Sequence, residues 1–289
     1  MDIRAAIMGL AFALMWSSAF TSARIIVADA SPLFSLALRF LISGLLGIWI
    51  ARAMGQSWHL TRAQWRATII FGICQNALYL GLNFYAMQTV QASVAAIIAS
   101  TMPLLVALAN WLLLGQRLSW MGVLGLLAGL VGVALIMGAR IGAGVDLFGV
   151  MLCGIGAVAL TLATLSVRNA TTGGNFMMVV GLQMLVGSAI LFVAAPLFET
   201  IRISPSWPLA IAFVYTTLIP GLTATYIWFR LLDRIGAVRA ATFHFLNPVF
   251  GVGIAALLLS ERLTLQDLIG VLIITAGILA VQLARQPKA

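Results

Sequence analysis

The third long apolar run of the chain carries Asn76, Tyr79 and Asn83, spaced by three and then four residues. On an α-helix that spacing puts all three on one side. Two amides and a phenol can hydrogen-bond a polar solute in a cavity, or they can bond a neighbouring helix, and both readings stay open. Ser100 and Thr101 precede Pro103, while His244 and Asn247 precede Pro248. A proline inside a helix removes one amide donor and frees a carbonyl upstream, so each group is a candidate hinge with polar side chains at the kink. Trp16 and Ser17 in the first run, Thr161 and Thr164 in the sixth and Tyr215 in the eighth complete the candidate substrate contacts. The threonines can equally back-bond within their own helix. Tyr215 and Tyr226, eleven residues apart on one helical face, can equally anchor at a membrane interface.

The same inventory excludes several chemistries. No nucleophile stands beside a base, and neither paired acids nor clustered metal ligands fall in the apolar runs, so no catalytic residue, metal or cofactor is expected. All seven acids (Asp2, Asp29, Asp146, Glu199, Asp233, Glu261 and Asp267) sit in loops or at helix ends. A cation/proton antiporter built on a buried carboxylate is therefore disfavoured. His244 alone within the runs titrates near neutrality in its ordinary state, but a single histidine is more often a fixed hydrogen-bonding or substrate-binding group than a proton coupler. Arg39 is a possible partner for a substrate carboxylate. It enters only about two turns from the end of its run, and snorkelling to the interface is the leading reading. Cys74 and Cys153 read as packing residues, and "GIGAVA" at 154–159 fits a dinucleotide-binding glycine pattern by chance, with no strand before it. What remains is aromatic and neutral-polar, which suits an uncharged or zwitterionic solute with a flat or apolar side chain.

These residues must be held by membrane helices. Of 289 residues, 63% are hydrophobic and 8% are charged, roughly a third of the charged share of a soluble domain. The net charge of +9 comes from basic residues scattered singly between apolar runs, so no nucleic-acid partner is expected. Breaks at charged, Gly- and Pro-rich points give ten spans at about 4–27, 33–53, 67–87, 92–114, 120–138, 147–168, 175–195, 208–229, 238–259 and 265–284. The first has the basic start of a secretory signal but is too long for one, and it reads as a retained span. Eleven of the sixteen Lys and Arg fall on the side of the termini and four opposite, with Arg39 inside a span. The expected topology has both termini in the cytoplasm.

"LLLGQRLSWMGVLG" at 112–125 nearly recurs as "LLLSERLTLQDLIG" at 257–270, an offset of 145 residues or five spans. At that offset Pro103 falls on Pro248, Arg117 on Arg262, Ser119 on Thr264, Gly125 on Gly270 and Gly132 on Gly277. Five is odd, so the second copy must start from the opposite face, and the chain reads as two inverted five-helix repeats, 1–142 and 143–289. Such halves can exchange conformations and open a central cavity to either side. In span five, Gly125, Gly129 and Gly132 are spaced for close helix packing.

The duplicated five-span unit, "MWSSAF" in the first span, "LRFLISG" in the second and the pair "TMPLLVALANWLLLGQRL" and "LNPVFGVGIAALLLSERL" resemble the drug/metabolite transporter superfamily, in particular its EamA-type carriers. The first copy departs from the pattern with Gln116 where the second has Glu261. The resemblance implies an all-α membrane protein of ten transmembrane helices, with a substrate cavity lined by helices one, three, four, six, eight and nine. It is most like bacterial inner-membrane exporters of amino acids, aromatic ones especially. A broad-range drug or metabolite exporter is the alternative, and a non-transporting assembly protein is a lesser one. The expected partners are a small-molecule substrate and the lipid bilayer, and the expected working unit is a monomer.

Overall fold

A computed structural model describes residues 3–115, 119–142, 144–167, 174–235, 240 and 242–284. Asp2, Gln116, Arg117, Arg168, Arg239, Arg285 and Lys288 lie outside the described residues. Among the described residues the long elements are all helices, and β-structure is confined to one bridge between Ala30 and Ile203.

Helices α1 (Ile3–Asp29) and α2 (Pro32–Ala53) are continuous. Helix α3 is composite: Arg62–Phe71, a π-helical stretch Gly72–Leu80, and Gly81–Ala86. It starts five residues before its expected boundary because Thr61 and Gln64 form a capping box. The Gln64 amide donates to Thr61 Oγ1 at 3.3 Å and the Thr61 amide to Gln64 Oε1 at 2.8 Å. Helix α4 is broken into Ala92–Ser100 and Met102–Leu114. Then come α5 (Trp120–Gly142), α6 (Leu147–Val167) and α7 (Phe176–Phe198). Helix α8 joins Trp207–Thr216, a second π-helical stretch Thr217–Thr223 and Ala224–Ile235. Helix α9 is a 3₁₀ turn Thr242–Leu246 followed by Asn247–Leu259, and α10 is Leu265–Ala284. By length and composition α1 to α8 can each cross a membrane, and 243–259 and 265–281 are shorter apolar helices.

The two prolines do not kink continuous helices. Pro103 and Pro248 each occupy the second residue of the helix that follows a break, where the missing amide would have had no intrahelical acceptor. The interruption lies just upstream, at Thr101 in α4 and in the 3₁₀ turn of α9. Both downstream helices end alike, with Gly115 (φ 62) and Ser260 (φ 54) in the left-handed conformation that closes a helix. These two positions are also 145 residues apart.

Packing obeys the same correspondence. Helix α2 lies on α7, α5 on α10 and α4 on α9, while α1 packs against α8 and α9 as α6 packs against α3 and α4. Shifting every label by five maps this set of contacts onto itself. At the α5–α10 crossing the match is atomic: a Cβ on Gly125 would lie 2.7 Å from the Gly277 carbonyl oxygen, and one on Gly277 2.6 Å from that of Gly125. Gly132 and Gly270 face each other similarly, at 2.9 and 3.0 Å. Only glycine permits helices so close. Large apolar side chains such as Trp49, Leu130, Val193, Leu257 and Leu272 point outward, whereas Ser17, Asn76, Asn83, Gln183 and Asn247 are buried. That inside-out distribution suits a protein solvated by lipid.

Candidate functional site

Between α1, α2, α3 and α8, in the half of the bundle nearer Asp29, the helices leave a small, partly open hollow. Its walls include Trp16, Phe20, Arg39, Tyr79, Asn83, Phe84, Met87 and Pro220. Aromatic and aliphatic surface predominates, with one amide, one phenol and one guanidinium, the composition of a site for a small amphipathic solute.

The π-helical stretches shape this space. Asn76 lies inside the first of them, where the winding is wider than in an α-helix and the register shifts. The single polar face expected for α3 is consequently split. Asn76 turns to α7 and donates to the Gln183 carbonyl at 2.8 Å, with Gly187 packed against its Cβ. Tyr79 and Asn83 face the cavity. Asn83 Nδ2 donates to the Tyr79 carbonyl at 2.8 Å, leaving Asn83 Oδ1 buried with no hydrogen-bond partner. Gly156 of α6 lets α3 approach, since a Cβ there would stand 2.7 Å from Asn83 Nδ2. This packing role accounts for a glycine of the "GIGAVA" stretch.

Arg39 does not snorkel. It is 4% exposed and lines the cavity. Its position two turns into α2 gives its stem no path to the interface, because α2 is packed along α7 and against the π-helical part of α8. Gly221 makes room for it: a Cβ there would lie 3.3 Å from Arg39 Nη2. The second π-helical stretch also separates Tyr215 from Tyr226. Tyr215 meets Ser18 of α1 across a 2.7 Å hydroxyl–hydroxyl bond, while Tyr226 packs against Phe176 of α7 with ring centroids 5.9 Å apart.

Toward the opposite end, α1, α8 and α9 are joined by an aromatic cluster. Phe12 stacks on Trp228 at 4.6 Å between centroids, and His244 meets both rings edge-on, at 5.4 Å from Phe12 and 5.0 Å from Trp228. His244 Nδ1 pairs with Asn247 Nδ2 at 2.9 Å, and Ser17 donates to the Asn247 carbonyl at 3.3 Å. The remaining candidate hydroxyls bond within their own helices: Ser100 to Ala96, Thr101 to Ile98, Thr161 to Ala157 and Thr164 to Leu160. Of the residues singled out from sequence, Trp16, Arg39, Tyr79 and Asn83 thus share the cavity, and Ser17, His244 and Asn247 share the cluster beside it. Phe12, Trp228, Met87 and Pro220 were not singled out, since one aromatic or proline in an apolar run carries no periodic signal.

Acids hold the Asp29 end. Glu199 accepts from the Leu33 and Phe34 amides at 3.1 and 2.8 Å, and Glu261 from those of Ala92 and Ser93 at 2.8 and 3.2 Å, so each carboxylate caps a helix N-terminus in the other half. Asp29 accepts from Ser206, and Arg24 donates to the Met87 carbonyl beside the cavity. Asp146 accepts from Thr89 at 2.6 Å, and that hydroxyl holds its carboxyl below the ordinary value of 3.8.

The bundle of long apolar helices around a mostly apolar hollow defines a multi-pass membrane protein. Residues 3–138 and 147–283 each match the EamA-like transporter family, and the chain belongs to that family of membrane transporters. It is 26% identical to the uncharacterized transporter YvbV of Bacillus subtilis, covering 92% of this chain and 87% of that protein. It is 25% identical to the uncharacterized inner membrane transporter YedA of Escherichia coli, covering 96% and 90%, and 24% identical to Protein PecM of Dickeya dadantii, covering 91% and 86%. A solved crystal structure at 22% identity superposes with a TM-score of 0.71, covering 99% of this chain and 100% of that one.

Proposed function

We propose that this protein is an inner-membrane secondary carrier that exports small zwitterionic or neutral solutes, aromatic and other amino acids foremost, by alternating access. In this reading 1–142 and 143–289 are inverted five-helix repeats, ten spans in all, with both termini cytoplasmic. The contacts of Gly125 with Gly277 and of Gly132 with Gly270 carry it, because the 145-residue offset turns one contact into the other, as a local two-fold axis would. The two matches to one family, at 3–138 and 147–283, support the same division.

The broken helices α4 and α9 occupy matched places in the two repeats, and such interruptions are where inverted-repeat carriers bind and move. In the proposed cycle the cavity beside Trp16, Tyr79 and Asn83 takes the cargo, with Pro103 and Pro248 at the hinges. The Phe12–Trp228–His244 cluster closes one end while the other opens. Tyr79 and Trp16 provide flat apolar surface, and Asn83 Oδ1 offers an unpaired acceptor for an ammonium group. His244, paired with Asn247, serves as a fixed part of the closure rather than as a proton carrier.

Purified protein in liposomes preloaded with unlabelled phenylalanine, tyrosine, leucine or alanine tests this by counterflow of the labelled amino acid. Uptake above empty liposomes, without an imposed pH gradient, is expected. Folded protein that exchanges no amino acid overturns the leading reading. Exchange restricted to dyes or other metabolites favours the broad-range exporter instead, which the mostly apolar cavity wall also accommodates.

A further inference from the structure

We infer that Arg39 is an anion-binding residue, so that the cargo bears a carboxylate and the guanidinium holds it. The inference rests on the carrier reading above, but its observations are separate. Arg39 is 96% shielded and makes no hydrogen bond or ion pair among the described residues, and its Nε is enclosed without a partner. Its guanidinium carbon stands 5.1 Å from the Phe40 ring centroid, a contact that leaves all five N–H donors unbonded.

A buried charge left in that state is costly, and charged residues inside membrane bundles characteristically face a partner or a substrate path. Here the internal partner is missing and the path is present. The residues lining the cavity include no Asp, Glu, Lys or His, so nothing in its wall neutralises the guanidinium. Gly221 has no side chain to fill the space beside Nη2, and Ser43 Oγ, which also lies next to Gly221, donates to the Thr217 carbonyl at 3.3 Å. A planar fork of donors in a mostly apolar, partly open pocket matches a carboxylate bidentately. The same field repels a solute that is only a cation.

Asn83 Oδ1 is the second unpartnered polar atom on this wall, and it accepts where Arg39 donates. One donor site and one acceptor site in a single cavity complement a zwitterion's head group. Of the two, Arg39 sets the requirement, since an ammonium can find other acceptors whereas a carboxylate finds only this charge.

Three probes that share a phenyl ring separate the contributions: L-phenylalanine, 3-phenylpropanoate, which lacks the amine, and phenethylamine, which lacks the carboxylate. Binding is read on detergent-solubilised protein by protection against thermal unfolding, with acetate as a minimal carboxylate. Phenylalanine and 3-phenylpropanoate are expected to protect the wild type, and phenethylamine is not. In Arg39→Met, which keeps the apolar stem, the protecting concentration should rise about 10- to 100-fold, the worth of a lost charge-assisted hydrogen bond, with Arg39→Lys in between. Equal protection by phenethylamine, unchanged binding in Arg39→Met or no protection by any carboxylate overturns the inference. The analogue series on wild-type protein decides it even where Arg39→Met fails to fold. Carboxylate protection that Arg39→Met loses, in a protein that shows no counterflow, would uphold the anion site and remove the carrier reading.

Discussion

Gly277→Ala inserts a methyl group where α5 and α10 touch. Its Cβ would lie 2.6 Å from the Gly125 carbonyl oxygen and 2.8 Å from the Gly129 amide nitrogen. Both are backbone atoms of a helix, so no rotamer change relieves the clash, and the two helices must part by roughly 0.8 Å to reach ordinary contact at 3.4 Å. Overpacking of this kind costs about 1–3 kcal/mol, while alanine in place of glycine returns about 1 kcal/mol of helix propensity. The control is Gly253→Ala in α9, where nothing lies within 4 Å of the new Cβ. There the propensity gain stands alone. The two variants should therefore differ by about 2 kcal/mol, on the order of 4 °C in Tm for a chain of this size. Tryptophan fluorescence during heating in detergent reads the difference. Gly132→Ala, the counterpart of Gly277→Ala in the first repeat, should fall on the same side, because its Cβ would meet the Gly270 carbonyl oxygen at 2.9 Å. Gly277→Ala melting with or above Gly253→Ala would refute the close α5–α10 crossing and the two-fold relation drawn from it.

Ser260→Gly should stabilise the protein by about 1 kcal/mol, since Ser260 holds φ 54 at a site where its counterpart is Gly115; the Tm in detergent should rise by about 2 °C. Glu261→Ala leaves the Ala92 and Ser93 amides without their acceptor and should lower stability by about 1 kcal/mol. Glu261→Gln, which installs the residue type of the first repeat, should fall between it and wild type. Tyr79→Ala should abolish counterflow at normal expression, while Tyr79→Phe, which keeps the ring against the cavity and removes the hydroxyl, tells whether shape or hydrogen bonding matters. Wild-type exchange in Tyr79→Ala would remove Tyr79 from the site.

Much of the helical framework is legible in the sequence because apolar length and charge breaks decide it. The expected spans at 92–114 and 265–284 coincide with α4 and α10, while the early start of α3 is written in the Thr61 to Gln64 spacing. Other features do not follow from apolar length and charge breaks. The π-helical stretch at Gly72–Leu80 carries no proline, that at Thr217–Thr223 surrounds Pro220, and the two separate Asn76 from Tyr79 and Asn83, and Tyr215 from Tyr226, against ideal 3.6-residue periodicity. Depth along α2 suggested that Arg39 would reach water. Lateral packing decides otherwise, and no one-dimensional pattern reports it. The prolines marked the right places in α4 and α9, but the backbone breaks before each of them rather than bending through it.

Exchange between the two repeats is tested most directly by paired distances at the two ends of the bundle. Spin labels at Gln88→Cys and Ser204→Cys report the Asp29 end, and labels at His59→Cys and Arg230→Cys the opposite end; all four native residues are exposed. With Cys74 and Cys153 replaced, electron–electron resonance distances would be recorded in liposomes with and without saturating phenylalanine. Anticorrelated change is expected, the first pair's distribution shifting toward shorter distances as the second's lengthens, or the reverse. Distances that stay fixed in every condition, or that lengthen and shorten together at both ends, would contradict alternating access.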